Sequence, residues 1–285
     1  MLHLSAVLHV NSLIWISSLK PDEQGTTHRV HEDLQPYFVS IGLPFTSVEP
    51  KTANELLAGL DAIEKRAKQG LRPIIHFDTH GTAERGLYIA GSGEFVPWAL
   101  LVDRLRRINV ATENNLCVVS AACFSMQAIK FIHINQQTPF FALIAPQQTV
   151  SFGFIERNTV NFYEQVFGGL DVVAAYENNL APHLTFYHCE KLLAVALTRY
   201  VRDNCRGSGL KKRRERLLTD VFVGGRIPNN RQNRRMVRKK IKEGVRPDQS
   251  LIDRYVRSFL IGKTVPFSLK QITELANAPR REWPP

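Results

Sequence analysis

The stretch Arg72-Pro-Ile-Ile-His-Phe-Asp-Thr-His-Gly-Thr82 constrains the fold more than any other. Ile74, Ile75 and Phe77 form a short β-branched and aromatic run bounded by Pro73 and Gly81, the pattern of a strand buried on both faces. Such a strand belongs in a parallel sheet covered by helices, and its carboxyl end opens on the crevice where open α/β sheets bind ligands. His80 stands at that end. Gly81 beside it gives the backbone torsions closed to other residues, so that its N–H can be aimed at a developing oxyanion.

A second strand is predicted to end the same way. Leu116-Cys-Val-Val-Ser-Ala-Ala-Cys-Phe-Ser125 is apolar and turns small at Ser120, Ala121 and Ala122. It delivers Cys123 just ahead of a helical pattern that starts near Ser125 and runs through Met126, Ile129, Ile132 and His133. One imidazole and one thiol are therefore expected on a single sheet edge. A free thiol titrates near pH ~8.5, and an adjacent imidazolium or helix N-terminus shifts it toward the attacking thiolate. The bland alternative, a small core hydrophobe, suits Cys117, Cys189 and Cys205.

Strand and helix signals alternate around this pair. Asn11 to Leu19 reads as the first core strand, stopped by Lys20-Pro21, with Phe45–Val48 and Phe140–Ala145 as further strands. Leu2 to Val10 is either a strand or a lead-in. Leu56, Leu60, Ile63 and Ala67 keep one helical face behind the capping box Thr52-Ala-Asn-Glu55, and Gly70 stops it. Helical spacing also marks Val30–Ile41, where Pro36 predicts a kink or a late start, and Trp98–Ile108, Asn158–Phe167 and Cys189–Arg202. Gly86 to Val96 reads as a hairpin about Gly91-Ser92-Gly93 on the site's side of the sheet. The expected fold is a three-layer α/β/α domain with a mostly parallel sheet over residues 1–205, followed by a basic, mainly helical region over 206–285.

Charge separates the two regions. The chain of 285 residues carries a formal +11, yet Arg206 to Arg246 holds 15 Lys and Arg against Glu215, Asp220 and Glu243, so the remainder is near neutral. Clustered cations supply sequence-independent phosphate affinity, so any nucleic-acid binding is expected in 206–246 and should be salt-sensitive. Charge runs are usually solvated surface or linker, while docking on an acidic regulatory protein partner or regulatory cleavage after these basic residues is as open as nucleic-acid binding. Beyond it, Leu251, Tyr255 and Phe259, then Leu269, Ile272 and Leu275, predict two short amphipathic helices. No stretch is apolar enough to span a bilayer, and Met1–Ser18 lacks the marks of a secretion signal, so no membrane partner is expected. Four cysteines without a CxxC make no disulfide framework and point to a reducing, cytoplasmic setting.

His76, Asp78 and His80 also spell a His-x-Asp-x-His pattern, with all three on one strand face. Same-face neighbours lie ~6.6 Å apart along a strand, which sinks His76 roughly 13 Å below His80. A metal would need a second cluster, for which only His183, His188 and Cys189 offer themselves. Neither metal nor cofactor is expected, and activity should survive chelation. His76 reads as a satisfied interior histidine and Asp78 as a group orienting nearby loops. His3, His9, His28, His31 and His133 read as structural.

An apolar strand ending Thr79-His80-Gly81, followed some forty residues later by one ending Ser120-Ala-Ala-Cys123, resembles the caspase-like cysteine peptidases, especially bacterial CHAT-type members. The resemblance covers about residues 11–150. In that family the histidine and cysteine end adjacent parallel strands. It implies a thiol endopeptidase acting on a protein substrate: Cys123 attacks the carbonyl, His80 handles the protons, and the N–H groups of Gly81 and Cys123 hold the oxyanion. Bacterial relatives commonly serve defence, including antiviral defence, or signalling. Family members that cut after acidic residues carry Gln two positions before the nucleophile, and several that cut after basic ones carry Asp. Here that position is Ala121. Together with the uncharged Gln147, Gln148 and Thr149, expected to line the pocket, it predicts an uncharged residue before the cleaved bond. The rival from another class is a catalytically idle scaffold of this fold whose basic region binds nucleic acid or a protein.

Overall fold

The computed structural model describes residue 4 and residues 7–169, 171–225 and 227–278. His3 and part of the Leu2–Val10 stretch lie outside the described residues. The described chain divides into two compact units, the smaller formed by residue 4 with residues 190–257 and 264–278, and the larger by residues 7–189 with 258–263.

The larger unit runs β1 (Ser12–Ser18), α1 (Gly25–Ser40), β2 (Phe45–Val48), α2 (Ala53–Ala67), β3 (Pro73–Thr79), β4 (Gly81–Thr82), β5 (Gly86–Ile89), β6 (Glu94–Val96), α3 (Trp98–Ala111), β7 (Cys117–Ser120), β8 (Ala142–Ala145), α4 (Phe152–Phe167), α5 (Val172–Asn179) and β9 (Thr185–His188). Six strands form one sheet in the order β2-β1-β3-β7-β8-β9. Its first five are parallel, and β9 pairs antiparallel with β8. Every residue of β1, β3, β7 and β8 is buried, as continuous apolar runs require when helices cover both faces.

Alternation along β1 sorts the layers. Ile14 and Ile16 line the same cavity as Leu56 and Ile63 of α2. Trp15 points the other way, where its ring meets His31 of α1 at 5.0 Å and stacks on His76 of β3 at 3.6 Å. Tyr163 of α4 closes that second face. The result is helix, sheet, helix. Buried Asn109 near the end of α3 steers the chain into β7. It donates to the Asn114 side chain at 3.0 Å and the Thr138 carbonyl at 2.8 Å, and accepts from the Leu116 N–H at 3.0 Å.

Three local expectations change. Pro36 sits inside α1 without a late start: the helix begins at Gly25, and Thr27, Val30, Leu34 and Phe38 supply a buried stripe strong enough to carry an exposed proline. Thr52 does cap α2, accepting from Glu55 N–H at 3.1 Å, but the Glu55 carboxylate reaches back to Lys51 N–H rather than to the cap residue. After Cys123 the chain makes a short 3-10 turn, Ser125–Phe131, instead of an α-helix, because the Met126 N–H is drawn to the Pro146 carbonyl at 3.1 Å.

The smaller unit holds α6 (Cys189–Asn204), which starts at the boundary, then α7 (Gly207–Val223), α8 (Arg231–Gly244), α9 (Gln249–Ser258) and α10 (Leu269–Asn277). The basic segment is thus mostly helix and not linker. Leu217 and Val221 of α7 share an apolar groove with Val237 and Ile241 of α8. Arg206 ties the start of α7 to α10 through Asn277 and the Thr273 carbonyl.

Candidate active site

Two neighbouring strands carry the reactive groups. β3 and β7 are parallel and in register from Ile74 opposite Cys117 to Phe77 opposite Ser120. The ladder runs one step further, with the Ala121 N–H donating to the Phe77 carbonyl at 2.8 Å. β3 ends at Thr79 and β7 at Ser120, so His80 and Cys123 follow their strands by one and three residues, in the turns that leave this end of the sheet. Those turns approach each other closely. A Cβ added to Gly81 would stand 2.4 Å from the Cys123 carbonyl oxygen and 3.3 Å from the Ala122 side chain. Gly81 is therefore required by close approach. It does not take a left-handed φ, which corrects the expectation of unusual torsions there.

Both turns keep their chemistry accessible. Cys123 is half-buried, and the His80 side chain is 36% exposed. The Tyr88 N–H donates to the His80 carbonyl at 2.9 Å, which makes His80 and Tyr88 the bonded pair of the β4–β5 ladder. Gly81, opposite Leu87, then takes the alternating non-bonded position, so its N–H points away from β5. Phe124, immediately after Cys123, has φ 61°. A left-handed non-glycine residue costs ~1–3 kcal/mol, and such strain persists where surrounding bonds over-determine it. Here the Phe124 N–H donates to the Gln148 carbonyl at 3.2 Å, and the Ser125 hydroxyl donates to the Ala122 carbonyl at 2.7 Å.

Glu23 was not foreseen from the sequence. It ends a short 3-10 turn, Pro21–Glu23, in the loop after β1, the strand next to β3. Its Oε2 accepts from His80 Nε2 at 2.9 Å and from the Lys20 N–H at 3.1 Å. Partial desolvation opposes its ionisation, yet the bonds from His80 and Lys20, with their positive charge, carry its pKa below the usual 4.5. A carboxylate only accepts, so Nε2 donates in this bond, and in a neutral imidazole Nδ1 would then be the acceptor. Because the folded pKa is depressed, the pair is complete above pH 4.5 and lost as acid protonates Glu23.

Beneath the pair lies a buried polar column. Asp78, 5% exposed, accepts from the Thr27 hydroxyl in the first turn of α1, which ties the segment carrying Glu23 to β3. Burial raises its pKa, and the Thr27 bond and the nearby His80 only partly offset this. His76 shares Nδ1 with the Tyr163 hydroxyl at 2.7 Å, while among the described residues its buried Nε2 has no partner, so it is satisfied at one nitrogen only. Burial, then the neighbouring His31, lowers the His76 pKa to about 3, so it stays neutral.

The other candidates fall on both sides of the cysteine turn. Ala121 extends the β3–β7 ladder. Gln147, Gln148 and Thr149 are exposed in the segment that bonds to Phe124 and Met126. A cavity of ≈ 180 Å³ at the carboxyl ends of β1 and β2 is lined by Ser17, Lys20, Gln24, Glu49 and Lys51 among others. It brings charge to the same sheet edge that Ala121 leaves uncharged. Exposed His183 meets Phe154 at 4.4 Å, and buried His188 meets Phe141 at 4.6 Å. Among the described residues, no group of three or more His, Cys, Asp or Glu side chains is placed to hold a metal ion. No described helix is long and apolar enough to cross a membrane.

The arrangement defines an α/β protein with a thiol and an imidazole at one sheet edge. The sequence matches no protein-family model and no curated protein. What the pair does rests on its geometry.

Proposed function

We propose that the chain is a cysteine endopeptidase of the caspase-like type, with Cys123 as nucleophile and His80 as general base and acid. The carrying observation is that these residues stand in the turns after adjacent parallel strands, with Gly81 pressed against the Cys123 carbonyl. In this reading His80 Nδ1 takes the thiol proton as Sγ bonds to the substrate carbonyl carbon, and returns it to the leaving amine as the C–N bond breaks. Water then hydrolyses the thioester with the same histidine as base. The N–H groups of Gly81 and Cys123 hold the oxyanion in both steps. Glu23 keeps the imidazole in the required tautomer.

Alkylation tests the assignment. Cys117 and Cys189 are fully buried, and burial pushes the Cys117 thiol up to about 12. Burial also raises Cys205, with Arg213 pulling the other way. Reactivity follows thiolate character and access, so limiting iodoacetamide should modify Cys123 first, as read by peptide mass mapping. Cleavage of a fluorogenic peptide library should decline in step with that modification. Labelling of Cys205 ahead of Cys123, or no cleavage before any alkylation, would favour the idle scaffold, and full cleavage by alkylated protein would take the chemistry away from Cys123.

A further inference from the structure

The basic helix α8 carries a feature that the proposed peptidase chemistry leaves unused. At 3.6 residues per turn, Arg231, Arg235, Arg238 and Lys242 fall within an arc of about 60°, and Arg234 and Lys239 flank it. All six side chains are exposed, along a row of about 16 Å. Val237, on the other side of the helix, is 5% exposed. Among the described residues none of the six enters an ion pair, although the larger unit pairs Arg29 with Glu156, and Arg107 with Asp61 and Glu64. Glu243 is the one carboxylate in the helix. Like charges at i,i+4 destabilise a helix when nothing neutralises them. An external polyanion would relieve that repulsion.

We propose that the outer face of α8 binds the phosphate backbone of double-stranded nucleic acid, independently of sequence. Guanidinium groups fit phosphate oxygens bidentately, and the row repeats its charge without interruption. An acidic protein fits less well, since protein interfaces draw their affinity from buried aromatic and apolar anchors, and no such side chain lies within the arc. A lipid surface needs a broad free apolar helix face, whereas Val237 is already buried and Met236, 43% exposed, is a single apolar side chain outside the arc. Single strands are held largely by stacking on aromatic rings, and α8 has none.

The test is fluorescence anisotropy of the full chain with a labelled duplex across a salt series. Four phosphate contacts predict a log–log salt slope of about −4. Replacing Arg231, Arg235, Arg238 and Lys242 together with Gln should weaken binding about a hundredfold or more at low salt and flatten the slope toward zero. An equal charge change on the larger unit, with Gln at the exposed Lys65, Arg66, Lys130 and Arg157, should leave affinity within about threefold. Circular dichroism melts confirm that each variant folds. Arg231→Lys, Arg235→Lys and Arg238→Lys together should retain the slope, which separates lost charge from lost structure. Equal loss in both Gln variants would overturn the proposal. So would tighter binding to a single strand, to polyglutamate, or to phosphatidylserine vesicles.

Discussion

Purified Cys123→Ala and His80→Ala proteins are each expected to lose peptide cleavage by at least about 10³-fold, and the double variant should be no worse than either single one. That non-additivity follows from chemistry: a thiol without its base and a base without its thiol are equally unable to form the thioester. Both side chains are part-exposed at a sheet edge, outside the buried core of Trp15, Phe77 and Ile144, so melting temperatures should hardly move. Cys205→Ala is the matched control, since it removes a half-buried thiol from the other unit and should leave turnover intact. Normal turnover by Cys123→Ala would sink the mechanism, whatever the fold. Loss in Cys123→Ala with full activity in His80→Ala would keep the nucleophile and move the base elsewhere.

The fold was legible where period and burial spoke together. β1 and β3 could be read because strands covered on both faces carry unbroken apolar runs, and α2 because its stripe begins at a capped Thr52. β9 went unread. Thr185–His188 mixes polar and aromatic residues in four positions, too short for a period to emerge, and its antiparallel pairing with β8 depends on a neighbour distant in sequence. α7 and α8 were obscured for a different reason. Their composition is that of a solvated charge run, and only packing against each other reveals Leu217, Val237 and Ile241 as one apolar seam.

The site divides along the same line. His80 and Cys123 could be read as candidates because each follows a readable strand, and neighbouring parallel strands bring their carboxyl ends together. Glu23 could not, since Pro21-Asp-Glu23 has no period and offers two adjacent carboxylates. Only the pairing of β1 with β3 decides which loop reaches the imidazole. One cue was present in principle: Lys20-Pro21 ends a core strand, so the acids behind it had to lie at the ligand-binding edge. Asp78 shows the reverse case. It could be seen in sequence but not interpreted, because its role depends on a hydroxyl in α1.

Gly81→Ala tests whether these loops must be as close as they are. The added methyl carbon would begin 2.4 Å from the Cys123 carbonyl oxygen, well inside van der Waals contact. A flexible side chain could swing aside, but a backbone oxygen cannot, and the turn holding it is pinned by bonds from Phe124 to Gln148 and from Met126 to Pro146. One turn must therefore give way. A shift of about 1 Å between nucleophile and base costs on the order of 10²-fold in turnover, because reacting groups must meet within a narrow range of distance and angle. It would also move the Gly81 N–H away from the oxyanion. Stability should fall by only ~1–3 kcal/mol, the usual cost of one unwelcome methyl group, so the protein remains folded while activity drops. Kinetics and a denaturant melt on the same preparation separate the two effects. Turnover within about twofold of the unsubstituted protein would mean that the Gly81–Cys123 contact positions nothing that matters to the proposed chemistry.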